Sequence, residues 1–159
     1  MALLALVTAV ALAACGGKVK PPPEIHLKIQ FVASATINPD PSGRASPVAL
    51  SVLQLKTADA FMNADYFAAS NPTNPALLPD IVGREEITLK PGETRDLPVK
   101  VDMAATRIGV IGAFRDIEHA TWRAEIAVPT PPKKASGPVD MQLIVRVDGL
   151  KVSIEPGKP

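Results

Sequence analysis

Proline sets the first limit on this chain. Seventeen prolines and ten glycines occur in 159 residues, and a proline lacks the backbone N–H that a helix interior or a central strand needs. Together they argue for many turns and edges and for few long helices. A hydrophobic content of 47% is too high for a disordered chain. The composition therefore points to one all-β domain large enough for a real core. Lysine and arginine number 17 against 16 acidic residues. Phosphate-backbone binding wants a clear basic excess, so no nucleic-acid partner is expected.

The N-terminal run is a separate matter. Ala2 to Ala14 are apolar or small apart from Thr8, too few for a helix of ~20 residues spanning a bilayer of ~30 Å, but the right length for a signal-peptide core. Leu12-Ala13-Ala14-Cys15 closes the run and Gly16-Gly17 follows, which reads as a lipobox. Residues 1–14 are thus expected to be a cleaved lipoprotein signal peptide and Cys15 the lipidation site. Several acyl chains, at ~0.8 kcal/mol per buried methylene, hold a protein to a bilayer far more firmly than one myristoyl group. Cys15 is the only cysteine, so no intramolecular disulfide is available and the core must hold the fold alone. Residues 15–24 read as a lipidated linker, in which Pro21 to Pro23 favour extended polyproline II at ~3.1 Å per residue.

Periodicity organises residues 25–155 as one domain. Ile25, Leu27, Ile29 and Phe31 alternate with His26, Lys28 and Gln30, the period of a strand buried on one face. Asn38 to Arg44 is a run of turn formers that predicts a loop, and Val48 to Leu55 resumes strand character. Thr57 to Ser70 changes period: Thr57 as cap, Asp59 in the first turn and Phe61, Ala64 and Phe67 or Ala68 at helical spacing predict one short helix, stopped by Asn71-Pro72. Leu77 to Val82 reads as an irregular return. Glu86 to Leu89 and Asp96 to Val101 flank Pro91-Gly92 and predict a hairpin turning at Lys90 to Glu93. Ile108 to Phe114 is apolar on both faces, as a central strand is, and Gly109 and Gly112 allow close approach. Trp122 to Val128 alternates again. Val139 to Val147, Asp148-Gly149 and Leu150 to Ile154 form a hairpin pattern of type I′. The sum is roughly eight strands, a β-sandwich by expectation.

Chemistry is sparse along this frame. His26 and His119 lie far apart, and neither has metal-ligand spacing to a second histidine or a thiolate, so no metal and no cofactor are expected. Ser34, Ser42 and Ser46 lack the G-x-S-x-G context of an activated serine. Asp116 and Glu118 are neighbours in a polar turn, where solvated charges are the ordinary reading. The chain therefore does not read as an enzyme.

Loop geometry is more informative. If consecutive strands reverse direction, the connections Asn38 to Ser46, Lys90 to Glu93 and Arg115 to Ala120 emerge at one end, and the lipid tether enters at the other. Loops on a rigid sandwich are where binding residues sit. The longest, comprising Asn38, Pro39, Asp40, Pro41, Ser42, Gly43, Arg44, Ala45 and Ser46, is the candidate partner-binding surface, its prolines limiting the entropy lost on ordering.

The order of these pieces carries a resemblance. A lipobox precedes Asn38 and the Gly43-containing loop; Ser46-Pro47 leads into Val48 to Leu55 and the aromatic-bearing Phe61 to Phe67. Leu89-Lys90-Pro91-Gly92-Glu93, Ile108-Gly109-Val110, Phe114-Arg115 and Trp122-Arg123 follow. This series resembles the TssJ (SciN) outer-membrane lipoproteins of type VI secretion systems over nearly the whole chain. The resemblance implies a transthyretin-like β-sandwich with a helical excursion between strands two and three. It also implies anchoring to the inner leaflet of the outer membrane and binding of the periplasmic C-terminal domain of TssM within a larger hetero-oligomeric membrane complex. In that reading the loop between the first two strands, here Asn38 to Ser46, makes the main contact, and no aspartate follows Cys15 to retain the protein in the inner membrane. The alternative function is a periplasmic small-ligand carrier lipoprotein of similar fold, which would need a pocket with a few convergent polar groups.

Overall fold

The computed structural model describes residues 23–157 apart from Lys133 and Ser136. Cys15, the signal segment and residues 15–22 of the linker lie outside the described residues. Eight strands follow one another as β1 (Ile25–Ala33), β2 (Val48–Leu55), β3 (Ile81–Leu89), β4 (Thr94–Lys100), β5 (Arg107–Ala113), β6 (Arg123–Ala127), β7 (Val139–Asp148) and β8 (Lys151–Pro156). They make two four-stranded sheets, ordered β4-β1-β7-β8 and β3-β2-β5-β6. The expected all-β sandwich of eight strands is the observed one.

Alternation in the sequence becomes the two faces of each sheet. Leu27, Ile29 and Phe31 of β1 are buried against Leu50 and Val52 of β2, Val110 of β5 and Val145 of β7, while His26 and Lys28 face solvent. Each large apolar side chain removed from water in this way contributes about 1.5–3 kcal/mol before entropy is subtracted. The second sheet is covered on its outer face as well. Leu53, Leu55 and Ile111 point away from the first core and pack with Phe61, Ala69 and Leu77 of the segment between β2 and β3. That double burial is why β2 and β5 read as almost continuous apolar runs.

Three local expectations are corrected. The single helix over Thr57 to Ser70 is two short helices, α1 (Asp59–Asn63) and α2 (Tyr66–Ser70). Asp65 is extended and its carboxylate accepts the Ala68 N–H at 2.8 Å, so a capping residue inside the pattern starts a new helix instead of continuing the old one. Thr57 lies outside α1, whose N-cap is Ala58. The stretch Leu77 to Val82, read as an irregular return, already holds the start of β3 at Ile81 and Val82.

The Pro91-Gly92 turn does not close a hairpin. β3 pairs with β2 and β4 pairs with β1, so Lys90 to Glu93 carries the chain from one sheet to the other. Both apolar faces are better buried when the strands part to opposite layers. At the other end of the chain, β7 and β8 do form a hairpin, with Asp148 opposite Lys151. Its turn residues are Gly149 and Leu150, and of the two only Gly149 has a positive φ, of 54°. Type I′ needs positive φ at both, so the turn follows the Gly-first pattern of type II′.

Strand β1 also pairs in parallel with β7, with Ile25 opposite Val139 and Ala33 opposite Val147. β6 ends at the end where β1 begins, and the proline-bearing connection after it crosses there from one sheet to the other. Two polar amides tie the layers together. Gln54 of β2 donates to the Lys100 carbonyl at 3.1 Å and accepts the Asp102 N–H at 2.8 Å. Asn38 does the corresponding work at the opposite end.

Candidate partner-binding site

Asn38 organises the end of the sandwich where the long loop lies. It is only 3% exposed and holds a positive φ of 47°, a conformation that asparagine tolerates better than most residues. Its N–H donates to the Gly149 carbonyl at 2.8 Å. Its Nδ2 donates to the Pro47 carbonyl at 2.8 Å, and its Oδ1 accepts the Arg115 N–H at 2.8 Å. One residue thus links the β1–β2 loop to the β5–β6 loop and the β7–β8 turn. The β3–β4 connection joins them through Ser34, whose carbonyl accepts the Gly92 N–H at 3.0 Å. The three connections expected at one end are there, with the β7–β8 turn as a fourth. The chain enters β1 at the far end, about 30 Å away for nine extended residues at ~3.3 Å each.

Within the loop, burial divides the candidate residues. Asn38 and Ser46 are buried at its two ends, Pro39, Asp40 and Ala45 are half-buried, and Pro41, Ser42, Gly43 and Arg44 are exposed. The Ser46 N–H donates to the Ile37 carbonyl at 3.0 Å, and Ile37 is fully buried. So the surface available to a partner is the tip, and the flanks are part of the fold.

Asp40 closes that tip. Its Oδ1 accepts the N–H groups of Ser42 at 2.9 Å and Arg44 at 3.0 Å, and its Oδ2 accepts Arg44 Nε at 2.8 Å. The Arg44 backbone N–H is the main reason that the Asp40 carboxyl titrates below its ordinary value, with the Arg44 guanidinium, the Ser42 N–H and the charge of Arg115 adding to it. The loop is thus a knuckle closed by the Asp40 carboxylate. In the neighbouring loop His119 Nδ1 lies 2.8 Å from Asp116 Oδ1, which raises the histidine above its ordinary value.

The two histidines are at opposite ends, since His26 begins β1 beside Glu24 and Asp140. Asp116 is paired with His119 and not with Glu118. No cluster of three or more potential metal ligands occurs among the described residues. What the sequence reading missed is the division of labour inside the loop. Asn38 looked like one turn former among several, and its place at the crossing of three loops depends on residues 9, 77 and 111 positions away.

The described residues form a small two-sheet β-sandwich with a cluster of connecting loops at one end and the start of β1 at the other. The comparison with known proteins gives the family. Residues 25–149 match the T6SS-SciN family of type VI secretion lipoproteins (VasD, EvfM, TssJ), and the chain belongs to that family, whose members are structural lipoproteins of the secretion system and not enzymes. Its fold is similar to that of the T6SS lipoprotein TssJ1 from Pseudomonas aeruginosa, with 29% identity and a TM-score of 0.75 over 87% of this chain and 99% of that one. It is similar to a chain of a structure described as a type VI membrane complex, at 26% identity and TM-score 0.69, covering 82% of this chain and 98% of that one. A third similarity is to a chain in the structure of the T6SS protein TssM C-terminal domain from EAEC, at 25% identity and TM-score 0.64, over 83% of this chain and 98% of that one. Comparison with curated proteins finds no match.

Proposed function

We propose that this protein is an outer-membrane lipoprotein that anchors the type VI secretion membrane complex by binding the periplasmic C-terminal domain of TssM. Lipid on Cys15 fixes one end, the sandwich transmits load, and the tip Pro39 to Ala45 grips the partner. The observation that carries the reading is the preformed, outward-facing loop cluster of a family member whose fold matches chains from a type VI membrane complex and from a TssM C-terminal domain structure. Rigidity matters here because a tether under load works best when its grip is already ordered, and a preordered loop loses little entropy on binding. The space between the sheets is filled by Leu27, Ile29, Phe31, Leu50 and Val145, so the interior is a packed core and not the ligand chamber that a carrier needs. Among the described residues no helix is long and apolar enough to cross a membrane, and attachment in this reading is through acyl chains.

The test is co-purification of the protein with the periplasmic domain of TssM. One sample carries the intact loop and the other has Pro41 to Arg44 replaced by glycine and serine. Replacing only these exposed residues spares Asn38 and Ser46, which the fold uses. Loss of binding with an unchanged melting temperature is the expected result; equal binding by both folded samples, or none by the intact protein, would remove the proposal.

A further inference from the structure

Among the described residues the exposed large apolar side chains are Met62, Phe67, Leu78 and Met103. None of them belongs to the connections at the loop end. Leu78 and Met103 lie at the opposite end, where β1 begins, and are 49% and 82% exposed. Two turns present them, and both turns are bonded to Lys56, the residue after β2. The Lys56 N–H donates to the Asp80 carbonyl at 2.8 Å and its Nζ to the Pro79 carbonyl at 2.7 Å, next to Leu78. The Lys56 carbonyl accepts the Thr106 hydroxyl at 2.6 Å, three residues past Met103. Val101 and Ala105 on either side of Met103 are buried, and Asp102 accepts the Ala104 N–H at 2.8 Å, so the turn holds Met103 outward. Met103 also borders a groove of about 500 Å³ together with Pro23, Val128, Pro131 and Pro132. The two apolar side chains thus stand at the end from which the chain runs back toward Cys15.

We infer that this end of the sandwich seats on the bilayer surface, with Met103 and Leu78 entering the headgroup region. The inference rests on the lipid anchor of the proposed function. Cys15 precedes Pro23 by eight residues, a stretch of at most ~29 Å at ~3.6 Å each, so acyl chains on Cys15 keep this end within reach of the lipid. A short tether gives a high effective concentration, and the contact then needs little affinity of its own. Two apolar side chains suffice under that condition, although they would not hold a free protein to a membrane. Charge agrees with a lipid surface. The Lys56 ammonium, bonded to the Pro79 carbonyl, lies between the two turns and can meet lipid phosphate. Of the acidic groups at this end, Glu24 is paired with Lys100 at 2.8 Å, Asp102 is turned to its own backbone and Asp80 is half-buried. Seating this end points the loop cluster away from the membrane, the orientation that a grip on a partner requires.

The experiment reconstitutes the protein, isolated from membranes in non-ionic detergent, into vesicles of phosphatidylethanolamine and phosphatidylglycerol. Met103→Cys, Leu78→Cys and, as a control at the start of β4, Thr94→Cys each carry a nitrobenzoxadiazole label; all three positions are exposed, and melting temperatures should stay at the parent value. Lipids bearing a nitroxide near the top of the acyl chain should quench the labels at 78 and 103 about threefold more than the label at 94. Adding Met103→Asp should about halve the quenching at 78. Flotation of the unlabelled parent with the vesicles reads the anchor separately. A parent that floats while the labels at 78 and 103 are quenched no more than that at 94 keeps the anchor and overturns the seat; a parent that does not float overturns both. Blue-shifted emission at 78 and 103 without nitroxide quenching would mark a protein occupant, and unchanged quenching at 78 in the Met103→Asp background would remove Met103 from the contact; either result overturns the inference.

Discussion

Asn38 shows how much one side chain can do when three loops meet at it. Asn38→Ala removes the acceptor of the part-buried Arg115 N–H and the donor to Pro47, at about 0.5–1.5 kcal/mol for each hydrogen bond lost. Asn38→Gly loses the same bonds but relieves the positive φ, so its melting temperature should fall less than that of Asn38→Ala. Thermal unfolding of both variants checks the order, and an Asn38→Ala protein as stable as the parent would contradict the assignment. Asp40 makes a prediction with a sign. Its folded pKa lies below the ordinary carboxylate value, so ionised Asp40 stabilises the loop above its unfolded pKa, and that contribution is lost as pH falls through the folded pKa. The stability difference between the parent and Asp40→Asn should therefore be present at neutral pH and shrink below pH ~4. A difference that grows on acidification would refute it.

At the scale of elements, the helical excursion is held to the sheet by specific contacts and not by helix propensity, since five residues are too few for an independent helix. Arg123 Nη1 donates to the carbonyls of Phe61 at 2.9 Å and Ala64 at 2.6 Å, which satisfies the end of α1 from the neighbouring strand. Gly109 lies beneath Phe61. A Cβ there would stand 3.1 Å from Phe61 Cε1 and 3.2 Å from Leu55 Cδ1. Gly109→Ala should cost about 1–3 kcal/mol through overpacking and loosen α1, and Asp65→Ala should cost about 1 kcal/mol through loss of the α2 cap. Denaturant unfolding measures both, and amide exchange in α1 should quicken only in the first. Sheet edges are managed in the same local fashion: β4 carries Pro98 and β3 carries Arg84, Glu85 and Glu86, residues that discourage pairing with a second chain.

For the whole molecule, the proposed function rests on the separation of the start of β1 from the loop cluster. They lie at opposite ends of β1, and the sandwich between them is one packed unit. If Cys15 carries the lipid, Cys15→Ser should move the protein from the membrane fraction to the soluble periplasmic fraction while leaving its melting temperature unchanged; firm membrane retention of the variant would contradict the anchor. Much of this architecture was legible in the residues. The alternation of Ile25 to Phe31 named a strand and its buried face, because side-chain period is a local property. The double apolarity of Ile108 to Phe114 named a central strand, and the turn formers from Asn38 to Arg44 named the loop. Its role as the candidate contact was legible too, but only as a position on the fold.

Pairing was not legible. Pro91-Gly92 between two strands looks the same whether the strands share a sheet or part to opposite layers, and only the packing of both faces decides. The parallel match of β1 to β7 joins segments more than a hundred residues apart, which no short-range pattern encodes. Asn38 belongs to the same category. A residue name states what hydrogen bonds a side chain can make, but whether it is buried, and which partners it finds or lacks, depends on strands brought together from distant parts of the chain. The sequence alone therefore determined strand faces and turn positions, both set by neighbouring residues. Tertiary structure decided which strands share a sheet, which loop residues are struts and which are free to touch a partner, because those are consequences of long-range burial.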